Sequence, residues 1–175
     1  NIKTLCISLD DFYLSKKQRN ILSNKVHKLF TIRGVPGTHN INQIIKVVER
    51  FEKNKYPIIL PKFNKLKDDK DKSNVIINNK NDLIFLEGWC CGCKPVANNY
   101  LKKNINLIEK FDNKLIWRKY YNKMLKEDYK LLFKKFEYLI YFKIPNFSCV
   151  FKWRLKQENK LVSNNKKNNN LMNEK

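Results

Sequence analysis

The sequence predicts an α/β fold with a mainly parallel sheet flanked by helices. Short apolar runs suited to strands alternate with segments of helical spacing, and acidic residues stand where two of those runs end. In such sheets ligands bind beyond the carboxyl ends of the strands. Asp10, Asp11 and Glu87 are therefore expected on one edge. The 175 residues suffice for a single domain with a real core, taken as 1–175.

Lys3 to Leu9 reads as a buried strand, since Leu5, Ile7 and Leu9 alternate with other residues. It runs into Asp10 and Asp11. A carboxylate at the end of a rigid strand suits a general base or a metal ligand, and it equally suits a plain strand terminator and cap. A polar helical stretch is expected from Ser15 to about Asn24. "TIRGVPGTHN" (Thr31 to Asn40) is punctuated by Gly34, Pro36 and Gly37 and reads as an ordered loop. Asn40 then caps a helix whose Ile41, Ile44, Ile45, Val48 and Phe51 share one face. A short strand, Ile58 to Leu60, is expected to stop at Pro61. Lys62 to Ser73 is charged and without periodicity, which predicts a mobile surface loop.

"DLIFLEG" (Asp82 to Gly88) predicts a second buried strand ending in an acidic residue and a glycine. A long helical region follows from Asn98 to Phe133, then a third strand at Tyr138 to Phe142. Phe147, Val150, Phe151, Leu155 and Val162 suggest one more amphipathic helix. "SNNKKNNN" (Ser163 to Asn170) reads as a polar connector.

Net charge is +21, yet only five of the 37 basic residues are arginine (Arg19, Arg33, Arg50, Arg118, Arg154). The lysines are spread along the chain and accompany abundant Asn and Ile, the signature of AT-biased coding rather than of a nucleic-acid stripe. No nucleic-acid partner is expected. Scarce arginines stand where a guanidinium fork is needed and lysine cannot replace it. No apolar run approaches the ~20 residues of a membrane span, and no signal-peptide pattern opens the chain. Five cysteines, odd in number and three of them bunched, argue against a secreted disulfide framework and for a reducing, cytoplasmic setting. Cys90 and Cys93 form a C-x-x-C with no second pair to close a zinc site, so packing is the expected role of "WCCGC".

"SLDDFYL", "RGVPGTHN", "LPKFNK", "FLEGWCCG" and "FKWRLKQE" occur in the order and approximate spacing seen in D-glycerate 3-kinase-like P-loop kinases. That group is related to uridine kinase, phosphoribulokinase and bacterial pantothenate kinase, and the resemblance covers Lys3 to about Glu174. It departs from the family in four places. The G-x-x-x-x-G-K-[ST] phosphate loop is absent, for none of Gly34, Gly37, Gly88 and Gly92 precedes a lysine. "LMNEK" resembles the start of the family's final helix, so the resemblance implies a domain incomplete at both ends. Asn40 and Asn64 stand where the family commonly shows Asp.

The resemblance implies ATP-dependent phosphorylation, with Mg2+, of a hydroxyl on a small anionic metabolite such as D-glycerate. It assigns Asp10 as the carboxylate that takes the hydroxyl proton and Glu87 as the metal-side acid. Asp11 would fix the loop, and Tyr13 would line the acceptor pocket. Arg33 resembles a substrate- or phosphate-binding residue. His39 either donates to an anionic acceptor or only braces its loop. Lys62 and Lys65 resemble a basic acceptor-side pair. Arg154 is the candidate charge stabiliser, with Glu158 four residues on able to hold it, and a plain surface salt bridge is the alternative. A non-catalytic kinase-like binding or regulatory protein without a nucleotide site is the other reading of the missing loop.

Overall fold

The computed structural model describes residues 1–164, with side chains to residue 159. It comprises two compact units, Asn1–Glu137 and a second that begins at Tyr138.

In the first unit, strand β1 (Thr4–Ser8) pairs in parallel with β4 (Leu83–Glu87), placing Leu5 opposite Ile84, Ile7 opposite Leu86 and Ser8 opposite Glu87. Side chains alternate across the pair. Leu5 and Ile7 are buried and Ile84 and Leu86 pack against the same core. The opposite face carries Cys6 and Phe85, both exposed. Among the described residues β4 is therefore covered on one face only, where a buried strand was expected.

Helix α1 (Lys16–Lys25) begins at a reciprocal cap, with Ser15 and Gln18 each bonding the other's backbone N–H. Helix α2 (Ile41–Glu52) is capped by the Asn40 side chain, which accepts from Gln43 N–H. Ile41, Ile44, Val47 and Val48 are its buried residues, with Ile45 and Phe51 partly covered.

The expected loop from Lys62 to Ser73 is instead part of a hairpin. β2 (Ile58–Asn64) continues past Pro61 and pairs antiparallel with β3 (Asp69–Ile77). The register shifts between Pro61 and Phe63, and such an irregularity accommodates a residue with no N–H to donate. Asn64 Oδ1 accepts from Leu66 and Lys67 N–H at 3.1 and 3.0 Å, closing the turn. The charged start of β3 has no apolar alternation because backbone pairing, not burial, holds it.

The expected helix from Asn98 to Phe133 is helical only in its second half. Short 3₁₀ turns at Tyr100–Lys102 and Ile108–Phe111 precede α3 (Ile116–Met124), a π turn (Leu125–Tyr129) and α4 (Lys130–Phe133). The reason is a buried guanidinium. Arg118, 2% exposed, bonds Asp112 Oδ2 at 3.2 Å, Asp112 O at 2.8 Å and Asn104 Oδ1 at 2.6 Å. Asp112 in turn accepts from Trp117 and Arg118 N–H, both at 3.0 Å, and so caps α3. Residues 104–112 wrap this cation and cannot also form a straight helix.

In the second unit Tyr138 to Phe142 forms no strand, and every side chain from Tyr138 to Phe142 is at least 64% exposed. A strand exists only with a partner, and no described strand pairs with this segment. Helix α5 (Phe147–Asn164) follows, with Asn146 Oδ1 accepting from Cys149 N–H at its start. Ser163 and Asn164 end α5, while the rest of the expected connector and Leu171 to Lys175 lie outside the described residues. Among described residues no helix is long and apolar enough to cross a membrane.

Replacing Arg118 by Met should destabilise the protein by about 3–5 kcal/mol, because Asp112 and Glu109 would stay buried without their cation. Urea unfolding of Arg118→Met measures this. A loss below about 1 kcal/mol would mean that the cluster does not hold the 98–115 segment.

Candidate active site

β1 ends at Ser8 and passes into a 3₁₀ turn, Leu9–Phe12. Leu9 and Phe12 are fully buried and pin both ends of the turn, leaving Asp10 and Asp11 half-buried between them. Asp11 Oδ1 accepts from Phe63 N–H at 3.2 Å and ties the turn to the hairpin. Asp10 Oδ2 lies 2.9 Å from Lys65 Nζ and keeps 28% exposure. Asp11 is thus engaged in holding backbone, and Asp10 is the reachable carboxylate.

Glu87 ends β4 directly across from Ser8 and is exposed. Among described residues it makes no ion pair. Gly88 follows in a space that admits no side chain, for a Cβ there would stand 2.6 Å from Leu9 Cβ. Cys90 is fully buried in the core. Burial, with Glu87 and Asp10 among the neighbouring charges, pushes the Cys91 thiol up to about 11. Asp10 and Glu87 thus stand next to the Leu9–Gly88 contact, one on each of the two paired strand ends.

The loop after α1 closes the other side. Leu14 N–H donates to Thr38 O and Asn40 N–H to Phe12 O, both at 2.8 Å, so Tyr13 and His39 bridge as in a short antiparallel ladder. Their rings stack with centroids 4.3 Å apart. Burial, then the adjacent Asp10 carboxylate, raises the Tyr13 hydroxyl well above the usual phenol range. His39 is 4% exposed, and burial lowers its pKa to about 4 against the opposing pull of Asp10. His39 Nδ1 meets Tyr129 Oη at 2.5 Å, while Nε2 is buried with no partner among the described residues. An orphaned buried polar atom of this kind costs about 1–3 kcal/mol, so its retention calls for a reason.

Arg33 pairs with Asp68 and lies over the Phe63 ring, 5.4 Å from its centroid. Arg19 also binds Asp68, at 2.5 Å, and from full burial donates to Leu14 O at 2.7 Å and Thr31 O at 3.1 Å. Asp68 so joins the hairpin turn to α1 and to the Arg33 loop. Trp89 Nε1 donates to Gly34 O at 3.0 Å, linking that loop to the segment after β4. Lys62 is exposed and takes part in none of these contacts, so the expected Lys62–Lys65 pair reduces to Lys65 at Asp10. Arg154 belongs to the second unit. On α5 it bonds Glu158 at 2.5 Å and Gln157 at 3.0 Å, the expected spacing for a helical pair.

Asp10, Asp11, Tyr13, His39, Lys65 and Arg33 thus surround the Tyr13–Phe63 aromatic contact, with Glu87 on the adjoining strand end. Sequence reasoning missed Arg19, Asp68 and Tyr129. The scarcity of arginine was the one available signal for Arg19. Nothing in the pattern marked Tyr129, whose role arises from a contact across 90 residues.

The buried His39 sets a pH dependence. The unfolded ring takes a proton near pH 6.5 and the folded ring only near 4, so stability should fall as pH drops through that window and change no further from this source below it. The loss should be up to roughly 3 kcal/mol relative to His39→Gln, which lacks the titrating ring. Urea midpoints of both proteins between pH 7 and 4 measure it, and parallel curves would show that the ring titrates normally.

No protein-family model matches the chain. It is 31% identical over 175 residues to the probable ATP-dependent kinase TDA10 of Saccharomyces cerevisiae, covering 89% of this chain and 56% of that protein. With the chloroplastic D-glycerate 3-kinase of Arabidopsis thaliana it shares 26% identity over 167 residues, 89% of this chain and 34% of that protein. The structure of D-glycerate 3-kinase from Cryptococcus neoformans has the same fold, with a TM-score of 0.76 over 94% of this chain and 62% of that one, at 22% identity. The chain thus spans little more than half the length of the yeast relative. The α/β fold agrees with the structural match, and over most of its length the chain is similar in sequence to the probable ATP-dependent kinase of yeast and to the plant D-glycerate 3-kinase.

Proposed function

We propose that the complete protein is an ATP-dependent phosphotransferase that phosphorylates a hydroxyl of a small anionic metabolite, with D-glycerate as the leading candidate. The observation that carries this reading is the Asp10 carboxylate, pinned at the end of β1 yet part-exposed, with Lys65 Nζ 2.9 Å away. Asp10 has the place and the chemistry to accept the hydroxyl proton. Lys65 and Arg33 bring positive charge to the same edge, which favours an acceptor bearing a carboxylate or phosphate. Neutral His39 adds a hydrogen-bond donor through Nε2.

Glu87 fits Mg2+ by the type of its donors, because its carboxylate oxygens are hard, exposed and unengaged by any described cation. Bound there, the ion would neutralise charge on the nucleotide phosphates. Asp10 on the same edge would orient the acceptor toward that charge. Arg154 is the proposed stabiliser of the moving phosphoryl group, its fork already held by Glu158 and Gln157. A non-catalytic, kinase-like binding protein is the other reading.

Turnover separates the two readings. The complete protein should release ADP in the presence of Mg-ATP and D-glycerate or a related hydroxy acid. Asp10→Asn should lower that rate by ~10²-fold or more while leaving the melting temperature close to wild type. Asp11→Asn should lower it less, since the amide oxygen still accepts from Phe63 N–H. Absence of acceptor-dependent turnover across small hydroxy acids, or full activity in Asp10→Asn, overturns the proposal.

A further inference from the structure

Tyr129 comes from the π turn Leu125–Tyr129, a local geometry that recurs at functional sites, and its side chain is fully buried. Its hydroxyl accepts from Gly37 N–H at 3.2 Å and lies 2.5 Å from His39 Nδ1. A buried phenol that remains un-ionised has one proton to donate, and His39 Nδ1 is the acceptor 2.5 Å away; the reverse direction, Nδ1–H donating to Oη, would leave the phenol proton unpaired. Nδ1 therefore carries the lone pair, and the proton of the neutral ring sits on Nε2. That Nε2–H is the buried donor left without a partner among described residues.

Asp10 stands at the same turn as Tyr13, whose ring stacks on His39, so its carboxylate is the charge that bears on this ring. A cationic imidazolium would draw the Asp10 carboxylate to itself and take the proposed base out of use. A neutral ring with its donor on Nε2 leaves Asp10 free for the hydroxyl and offers a separate hydrogen bond. We propose that Tyr129 is a positioning residue: by donating to Nδ1 it locks His39 as the neutral Nε2–H tautomer, which binds an oxygen of the acceptor beside Asp10. This rests on the kinase reading for the identity of the acceptor. Gly37, at φ +99°, brings its N–H to the phenol in a backbone shape other residues rarely adopt. The Tyr13 ring stacked on His39 fixes the plane in which Nε2–H points.

Long-range ¹⁵N–¹H NMR of the complete protein tests it, with the His39 signals assigned by their loss in His39→Gln. The wild type should show a protonated Nε2 and an unprotonated Nδ1. Tyr129→Phe keeps the ring and removes the hydroxyl, and should give a mixture of tautomers. Added D-glycerate should move the His39 Nε2 signal in the wild type. In kinetics, Tyr129→Phe should raise KM for the acceptor roughly tenfold, the worth of one lost hydrogen bond, with KM for ATP unchanged. A wild-type proton on Nδ1, an unaltered tautomer in Tyr129→Phe, or no response of His39 to an acceptor that supports turnover overturns the inference. The tautomer readouts need neither acceptor nor turnover, so their failure is distinguishable from failure of the kinase reading, which shows in turnover alone.

Discussion

Leu9 and Gly88 meet where two parallel strands end, and the placement of both candidate carboxylates depends on that contact. Leu9 is fully buried, and the glycine backbone comes so close that any Cβ would overlap it. With the contact made, Asp10 follows Leu9 and Glu87 precedes Gly88 by one residue each, so the two acids share an edge. A larger residue at position 88 would push the strand ends apart. Cys90, two residues on, enters the core beneath the same turn.

Two buried arginines organise the parts of the chain that have no regular structure. Arg19 collects Leu14 O, Thr31 O and Asp68 from three separate segments. Arg118 gathers Asn104, Glu109 and Asp112. Each supplies several fixed N–H donors from one rigid plane, which a lysine cannot do. In a chain with so few arginines, their burial explains why these positions are not lysine. Through Asp68, Arg19 also steadies the turn that carries Lys65 to Asp10 and leaves Arg33 against Phe63.

Elements whose stability is local were legible in the sequence. Ser15 with Gln18 and Asn40 with Gln43 cap α1 and α2 where their side-chain chemistry says they should, and the alternation of Leu5, Ile7 and Leu9 marks β1. Elements that depend on distant partners were not. β3 is charged and is held by backbone pairing with β2, so no apolar pattern announced it. Tyr138 to Phe142 has the composition of a strand but no described partner, and it stays irregular. Residues 98–115 have helical spacing, yet a buried cation claims their polar groups first. The site divides in the same way. The motifs carried Asp10, Glu87, Arg33 and His39, whereas Asp68 and Tyr129 act through contacts across 49 and 90 residues that no local pattern encodes.

The most direct measurement of whether the strand-end contact sets the site is Gly88→Ala in the complete protein. The added methyl must displace Leu9, which should cost about 1–3 kcal/mol by overpacking. Because Asp10 moves with Leu9, turnover measured well below the melting temperature should fall by about tenfold or more, as expected for a reacting group displaced by a fraction of an ångström. Full turnover in Gly88→Ala, whatever its melting temperature, would contradict the placement of Asp10 by this contact.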